Sequence, residues 1–313
     1  MNIHADLAEL VGNTPLLALQ RFSSHARIVG KLEYLNPGGS SKDRVARALL
    51  DHGAREAGLS AGDRVLEKCG GNTAVSLAWM AARRGYRLDL VVPADVGDLQ
   101  TRTCRYLDAA VHPVPPPQVV SRWRELQSAL AGAHVPDQFS SRANVTAHQD
   151  TTGPEIWRDT DGQVDAVFAG IGTGGTLAGI SRFIKPRKAG CEIVGVEPEE
   201  APIFSARRHG RHGIPGIGIP TRPVLLEESD VDEVMLVASA DAVRAARELA
   251  RREGVLAGVS SGAVLHAAVE YSRRAVNHNK LIVIILCDGL SRYLSGPEVA
   301  VPDASSIEQP EVE

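Results

Sequence analysis

Lys42 stands in the run Asn36-Pro37-Gly38-Gly39-Ser40-Ser41-Lys42-Asp43-Arg44. The paired glycines suit a tight turn. Ser40 and Asp43 stand at capping-box spacing, which predicts a helix from here to about Asp51 with Gly53 as its stop. Lys42 then falls in the first turn, where the positive end of the helix dipole opposes a cation. A lysine that works as an imine escapes that opposition, so Schiff-base chemistry is one reading. The other is an exposed helix-start lysine paired with Asp43. Lys42 alone does not decide between them.

A second run, Gly170-Ile171-Gly172-Thr173-Gly174-Gly175-Thr176, lies between a strand-like and a helix-like segment. Glycines let the backbone approach an anion, the helix start offers free N–H groups, and two threonine hydroxyls add donors. A phosphate site is favoured over a plain turn. Gly170, Gly172 and Gly175 also spell G-x-G-x-x-G, with Glu192 and Glu197 near the position of a ribose-binding acid. A nicotinamide-dependent oxidoreductase is therefore a rival, but it leaves the lysine run unexplained.

Two further runs open helices. Glu67-Lys68-Cys69-Gly70-Gly71-Asn72-Thr73 has amides suited to a carboxylate or phosphate, with Asn72 as the N-cap by type. Gly258-Val259-Ser260-Ser261-Gly262-Ala263 reads most simply as a serine-capped helix start. Cys69, Cys104, Cys191 and Cys287 show neither zinc spacing nor a partnered histidine, and the histidines form no ligand cluster, so no metal is expected.

The elements that must position these runs alternate. Strands are predicted at Val65–Glu67, Leu88–Val92, Ala110–Val114, Asp165–Ala169, Ile193–Val196 and Leu281–Leu286. Helices are predicted at Asn72–Arg84 with Gly85 as the stop, Leu99–Leu107, Pro117–Ala131, Thr176–Ile184, Asp241–Arg252 and Ala263–Arg274. Such alternation implies an α/β fold of two domains, each a mostly parallel sheet flanked by helices. The aperiodic stretch at 140–150 suggests the join. Residues 1–145 form a smaller domain with Lys42 and the Asn72 loop, residues about 12–35 being free to pack with the other. Residues 146–300 form the larger domain, and the polar, acidic 301–313 is read as a disordered tail.

The 313 residues carry a formal charge of −4, which argues against nucleic-acid binding. The one basic run, Arg207 to His212, reads as a solvated loop, or less simply as a clamp for an anionic substrate. No apolar stretch suits a bilayer, Met1 to Asp6 lacks signal-peptide character, and scattered cysteines fit a reducing compartment. A cytoplasmic protein is expected.

Together the runs resemble the cysteine synthase / cystathionine β-synthase family of fold-type-II pyridoxal-phosphate enzymes, whose fold is that of tryptophan synthase β. The likeness extends from Val11-Gly12-Asn13-Thr14-Pro15-Leu16 to Arg292-Tyr293-Leu294-Ser295. It includes Gln138-Phe139, Ala147-His148 with Thr151-Thr152-Gly153-Pro154-Glu155-Ile156, and Gly216-Ile217-Gly218. The resemblance implies pyridoxal 5'-phosphate held by Lys42 as a Schiff base. Asn72 would meet its ring hydroxyl, Ser260 its pyridine nitrogen, and Gly172, Thr173, Gly174, Gly175 and Thr176 its phosphate. Cys69, Gly70, Gly71, Thr73 and Gln138 would surround the substrate carboxylate, with Gly216, Ile217 and Gly218 facing the substrate. It implies a homodimer and β-replacement on an O-activated serine, O-acetylserine or O-phosphoserine, through an aminoacrylate.

The departures bear on substrate. The carboxylate loop of the family usually reads Thr-Ser-Gly-Asn-Thr-Gly; here it is Cys69 to Ala74, with two hydroxyls gone and Lys68 ahead of it. The late loop, Cys287-Asp288-Gly289-Leu290-Ser291-Arg292-Tyr293, is altered too. Leu32 to Ser40 with Pro215 to Gly218 resembles the branch that joins phosphoserine to glutamate for diaminopropionate. Gly262 to Ala268 resembles phosphoserine-using cysteine synthases, and a phosphorylated donor would suit the arginines near 207–222, Arg222 included. A cofactor-binding homologue with little catalysis is the third possibility.

Overall fold

The structure, a computed structural model, describes residues 3–294. The tail expected at 301–313, and Ser295 of the late loop, lie outside them. The strands are β1 (Leu16–Ala18), β2 (Arg27–Leu32), β3 (Arg64–Lys68), β4 (Arg87–Pro93), β5 (Ala110–Val114), β6 (Ala166–Gly170), β7 (Glu192–Pro198), β8 (Glu233–Val237) and β9 (Leu281–Leu286). The helices are α1 (Lys42–Glu56), α2 (Gly71–Arg84), α3 (Asp98–Tyr106), α4 (Val119–Ala129), α5 (Arg142–Ala147), α6 (Gly153–Asp159), α7 (Gly175–Ile184), α8 (Ile203–Ala206), α9 (Ser239–Glu253) and α10 (Val259–Ser272).

They build two sheets, as the alternation predicts. One runs β3-β4-β5, all parallel; the other runs β1-β2-β9-β6-β7-β8, parallel except for the antiparallel β1–β2 pair. Every residue of β9 is buried, so its apolar run shows no alternation, as a strand covered on both faces should. Ile282, Ile284 and Leu286 pack with α9 and α10 on one face, while Val283 and Ile285 pack with α7 on the other.

β1, β2 and β8 escape the sequence reading for physical reasons. β1 and β8 are short, partly exposed edges. β2 carries Lys31, which looks like a surface residue yet is fully buried against Glu155 at 2.7 Å. The stretch expected as an aperiodic join is instead helical. α5 continues through a π-helical turn, His148–Thr152, into α6. The extra residue of a π turn breaks the helical period, which is why no pattern was legible there.

The helix carrying Lys42 also differs from its prediction. It runs to Glu56, and Gly53 lies inside it. A Cβ at Gly53 would meet His134 Nε2 at 2.5 Å, so this glycine permits close packing and is no stop. Ser40 and Asp43 form no capping box. The Asp43 carboxylate accepts from Ser76 Oγ at 2.6 Å, Trp79 Nε1 at 3.1 Å and the Gly38 amide, tying the turn before Lys42 to α2.

Candidate active site

The C-terminal ends of strands from both sheets point at one cleft of about 1070 Å³. Such edges, beside the switch in strand order between β9 and β6, are where open parallel sheets bind ligands. Lys42, Gly70, Gly71, Asn72, Thr73, Gln138, Gly172, Thr173, Gly174, Thr176, Gly216, Ile217 and Ser260 all line it. Residues up to 218 positions apart in the chain are thus brought together, although each run alone had a simpler reading.

Lys42 is half-buried, and among the described residues no carboxylate pairs with it; Asp43 points away to α2. Its helix is anchored by Arg44, which is buried between Glu33 and Glu155. The guanidinium donates to Glu33 at 2.7 and 2.8 Å and to Glu155 at 2.7 Å on both nitrogens. Burial alone would raise the Glu155 carboxyl, but Arg44 and Lys31 hold it down to about 2. The network ties α1 of the lysine to α6 and to Thr14 of the N-terminal segment.

The run after β6 forms a cradle. Gly174 adopts a φ of +86° just before α7, and a Cβ there would meet Leu226 Cβ at 2.6 Å. A Cβ at Gly172 would meet the Gly216 carbonyl at 2.7 Å. Among the described residues, nothing accepts from the N–H of Gly172, Thr173 or Gly174. These amides, the first N–H groups of α7 and two hydroxyls converge as an anion site would need. Gly175 does not line the cleft; it backs onto Asn144, whose Oδ1 would stand 2.1 Å from an added Cβ.

Across the cleft, α2 starts at Gly71 with Gly70 as its N-cap, so Asn72 is not the cap. Freed from that task, Asn72 donates to Asp288 Oδ2 at 2.6 Å, and its own Oδ1 is buried without a partner. Thr73 donates to Gln138 Oε1 at 2.7 Å. Cys69 packs in the core beneath the loop and stays out of the cleft; burial pushes its thiol well up. Gly70 sits against Val96, whose Cγ2 would be 2.5 Å from a Cβ. Glu67 is buried under this loop, and desolvation pushes its carboxyl up to about 7. Lys68 leaves the site, pairing with Asp137 at 2.9 Å over the Trp123 ring.

The late loop joins the pieces. The Cys287 carbonyl accepts from Ser41 N at 2.9 Å and the Asp288 carbonyl from Gly258 N at 3.0 Å. One short stretch thereby holds the residues ahead of Lys42, the side chain of Asn72, and the start of α10. That helix begins at Val259, so Ser260 lies in its first turn and is not its cap. Tyr293 donates to Asp288, whose Oδ1 is buried and unpartnered; burial raises this carboxyl despite those bonds. The raised thiol of Cys287, at about 11 through burial, fits no nucleophile. Sequence reading missed Asp288 and Tyr293 as site residues; its only signal was that the loop was unusual.

Other expectations change. Glu197 accepts from Phe204 N, Ser205 N and Ser205 Oγ at 2.6, 3.0 and 2.7 Å, and Glu192 pairs with Lys280. Both acids that could have met a ribose are committed elsewhere, which removes the basis for the dinucleotide reading. Arg222 pairs with Glu228 at 2.7 Å and does not line the cleft. Arg207 to Arg211 are exposed, as a solvated loop should be. Gly218 lines an adjoining pocket of about 730 Å³ with His209 and Arg211. The cations that do reach the main cleft are Lys42, Arg102 and Arg292. Among the described residues no three or more His, Cys, Asp or Glu side chains come together as metal ligands would.

These features suit pyridoxal phosphate on structural grounds. There is an unpaired lysine, a glycine cradle that side chains would fill, and unpartnered buried oxygens at Asn72 and Asp288. Residues 7–288 match the family described as pyridoxal-phosphate dependent enzymes. The chain is 39% identical over 297 residues to cysteine synthase 3 of Caenorhabditis elegans, covering 93% of this chain and 88% of that protein. An O-ureido-L-serine synthase superposes with a TM-score of 0.92 at 28% identity, covering 97% and 98% of the two chains. A cysteine synthase of Entamoeba histolytica superposes at 0.91 with 31% identity, covering 96% and 92%.

Proposed function

The chain belongs to the pyridoxal-phosphate-dependent enzymes, on their cysteine synthase branch, and from that premise we propose that it exchanges the β-substituent of an O-activated serine for an incoming nucleophile. The observation that carries the reading is the meeting of Lys42, Asn72, Ser260 and the cradle residues Gly172, Thr173, Gly174 and Thr176 in one cleft.

In this reading Lys42 holds the cofactor aldehyde and the cradle, Gly175 included, its phosphate. Asn72 would hydrogen-bond the ring hydroxyl, and Ser260 would meet the ring nitrogen. The cofactor, when bound, supplies an electron sink that makes the substrate α-proton acidic. Lys42 Nζ, when not bonded to the cofactor, would be the base that accepts that proton. Gln138 and Thr73, with the amides of Gly70 and Gly71, orient the carboxylate. Cys69 contributes only its place in the chain below them. Gly216 and Ile217, with Gly218 beyond, form the wall along which the leaving group departs. The neutral Ser260 hydroxyl does not force a proton onto the ring nitrogen, which favours elimination over transamination.

The donors are O-acetylserine or O-phosphoserine. The relatives include a cysteine synthase and an O-ureido-L-serine synthase, named for products that share one three-carbon amino-acid skeleton. That supports the donor class and leaves the nucleophile to this chain's own cleft wall; glutamate, as in diaminopropionate formation, is the alternative. We divide the chain into a lysine-bearing unit, 1–145, and a phosphate-binding unit, 146–300, with residues about 12–35 packing onto the second through β1 and β2. The working form is a cytoplasmic homodimer. Exposed Leu7, Leu99, Leu256 and Leu294 around one apolar groove support self-association, and cysteines that are all free support a reducing compartment.

A donor-by-nucleophile screen of the purified protein tests this by visible absorbance. The expected result is a Schiff-base band that borohydride reduces and that O-acetylserine or O-phosphoserine shifts, reversed by the matching nucleophile. A band that no amino-acid donor moves would mean a cofactor-binding protein without this activity.

A further inference from the structure

Both threonines of the cradle are backed by buried side chains with no role so far. Asn144, at the centre of α5, is 1% exposed, and His148, opening the π turn, is also 1% exposed. Asn144 Nδ2 donates to the Gln138 carbonyl at 2.8 Å and to Thr173 Oγ1 at 3.0 Å. A backbone carbonyl only accepts, so the atom facing it must be the amide nitrogen. The second proton of that nitrogen then goes to Thr173, whose oxygen is the acceptor.

The same accounting fixes the tautomer of His148. Nδ1 lies 2.9 Å from Thr152 Oγ1 and Nε2 lies 3.2 Å from Thr176 Oγ1. Thr152 is fully buried, and among the described residues its hydroxyl has no other partner. If Nδ1 carried the proton, the Thr152 hydroxyl proton would be buried and unpaired, at a cost of about 1–3 kcal/mol. Thr152 therefore donates to Nδ1, the ring proton sits on Nε2, and Nε2–H donates to Thr176. Burial, with Arg44 and Lys42 nearby, pushes the imidazole down to about 3 and keeps it neutral.

We infer that Asn144 and His148 are positioning residues that oblige both cradle hydroxyls to accept from behind, so that each turns its own proton toward the bound anion. A threonine hydroxyl can otherwise face a phosphate with lone pairs. With both fixed as donors, the cradle offers the dianion only donors. Glycines 175 and 179 permit this backing. A Cβ at Gly175 would strike Asn144, and one at Gly179 would meet the Val145 carbonyl at 2.4 Å and His148 Cβ at 2.7 Å.

The inference rests on the cradle holding the cofactor phosphate, so wild-type protein is measured first. A Schiff-base band with a bound-phosphate phosphorus resonance secures that reading; their absence overturns the reading itself. Nitrogen NMR of the holoenzyme should then show His148 neutral with its proton on Nε2, and a proton on Nδ1 overturns the inference. Apoenzyme variants give the second arm. Asn144→Ala and His148→Phe should each weaken pyridoxal phosphate binding about tenfold while changing pyridoxal binding by less than about twofold. His148→Gln, which keeps an N–H near Nε2, should recover most of the loss. Equal losses for both ligands would mark a merely structural role and overturn the inference, as would no loss for either. The tautomer needs only wild-type protein, so misfolding of a variant does not remove the test.

Discussion

The corner at Gly170–Thr176 and the corner at Glu67–Ala74 are built alike, each a parallel strand, a glycine turn and a helix aimed into the cleft. They differ in what stands behind them. The first keeps two hydroxyls, each held by a buried neutral donor, Asn144 or His148. The second has glycine where the family has a hydroxyl. Val96 fills the space, and burial pushes the Glu67 carboxyl below it up to about 7. An anion site can be fixed by side chains that orient donors, or left to backbone amides alone. The fixed corner would suit the constant cofactor and the plain corner the variable substrate.

Lys42 lies between the corners, and its loss should have the largest effect. Lys42→Ala is expected to lower turnover at least about 10³-fold, the scale of a lost proton acceptor. Binding of pyridoxal phosphate should persist, because neither corner touches Nζ. Single-turnover absorbance with added donor checks it. A variant that keeps normal turnover would break the comparison at its root, since the corners would then serve another catalyst.

Restoring the family hydroxyl tests the plain corner. Gly70→Ser alone should cost about 1–3 kcal/mol of stability through overpacking, because Val96 Cγ2 lies 2.5 Å from the new Cβ. Adding Val96→Ala should recover most of that loss. It should also lower the donor KM up to about tenfold, the worth of one hydrogen bond to a carboxylate. Denaturant melts and steady-state kinetics on the single and double variants decide. If the single variant is already as stable as wild type, Val96 is not what excludes a side chain there.

The buried groups behind the two corners make opposite contributions to acid stability. His148 is depressed from 6.5 to about 3, so its contribution is complete above 6.5 and is lost as pH falls toward 3. Glu67 is raised from 4.5 to about 7, so its contribution is complete below 4.5 and is lost as pH rises toward 7. Between 4.5 and 6.5 the slopes oppose, each about 1.4 kcal/mol per pH unit. Glu67→Gln should make stability fall more steeply on acidification in that window, and His148→Gln should reverse the trend. Parallel pH profiles for both variants would show that the groups do not titrate as their surroundings imply.

Much of this was readable in the sequence where a local rule operates. Gly85 ends α2 with a φ of +73°, as left-handed helix stops do. The glycines of the cradle announced an anion site before any strand was placed. What stayed hidden depends on distant partners. Asp43 looked like a cap but serves Ser76 and Trp79; Asn72 looked like a cap but serves Asp288. Polar residues favour caps only when nothing better is in reach, and sequence cannot show what the fold brings near. Glycines 53 and 175 likewise mark close contacts, with His134 and Asn144, that no local rule contains.

The smallest expected effect concerns charge at the plain corner. Arg222 lies among the arginines whose charge suits a phosphorylated donor, yet its guanidinium pairs with Glu228 and lies 5.0 Å from the Phe204 ring centre. The pair is exposed and worth at most about 1 kcal/mol. Arg222→Ala should therefore change stability by less than about 0.5 kcal/mol and leave kcat/KM unchanged for both O-acetylserine and O-phosphoserine. Arg102, which lines the cleft, is the informative companion. If the donor is phosphorylated, Arg102→Ala should lower kcat/KM for O-phosphoserine several-fold and affect O-acetylserine much less, because only O-phosphoserine carries a phosphate for the guanidinium to pair with. A selective loss in Arg222→Ala would reverse the assignment. It would mean that the segment after Gly218 swings its arginine inward when donor binds, and that the substrate corner, plain as it stands, is completed by a residue now held outside it.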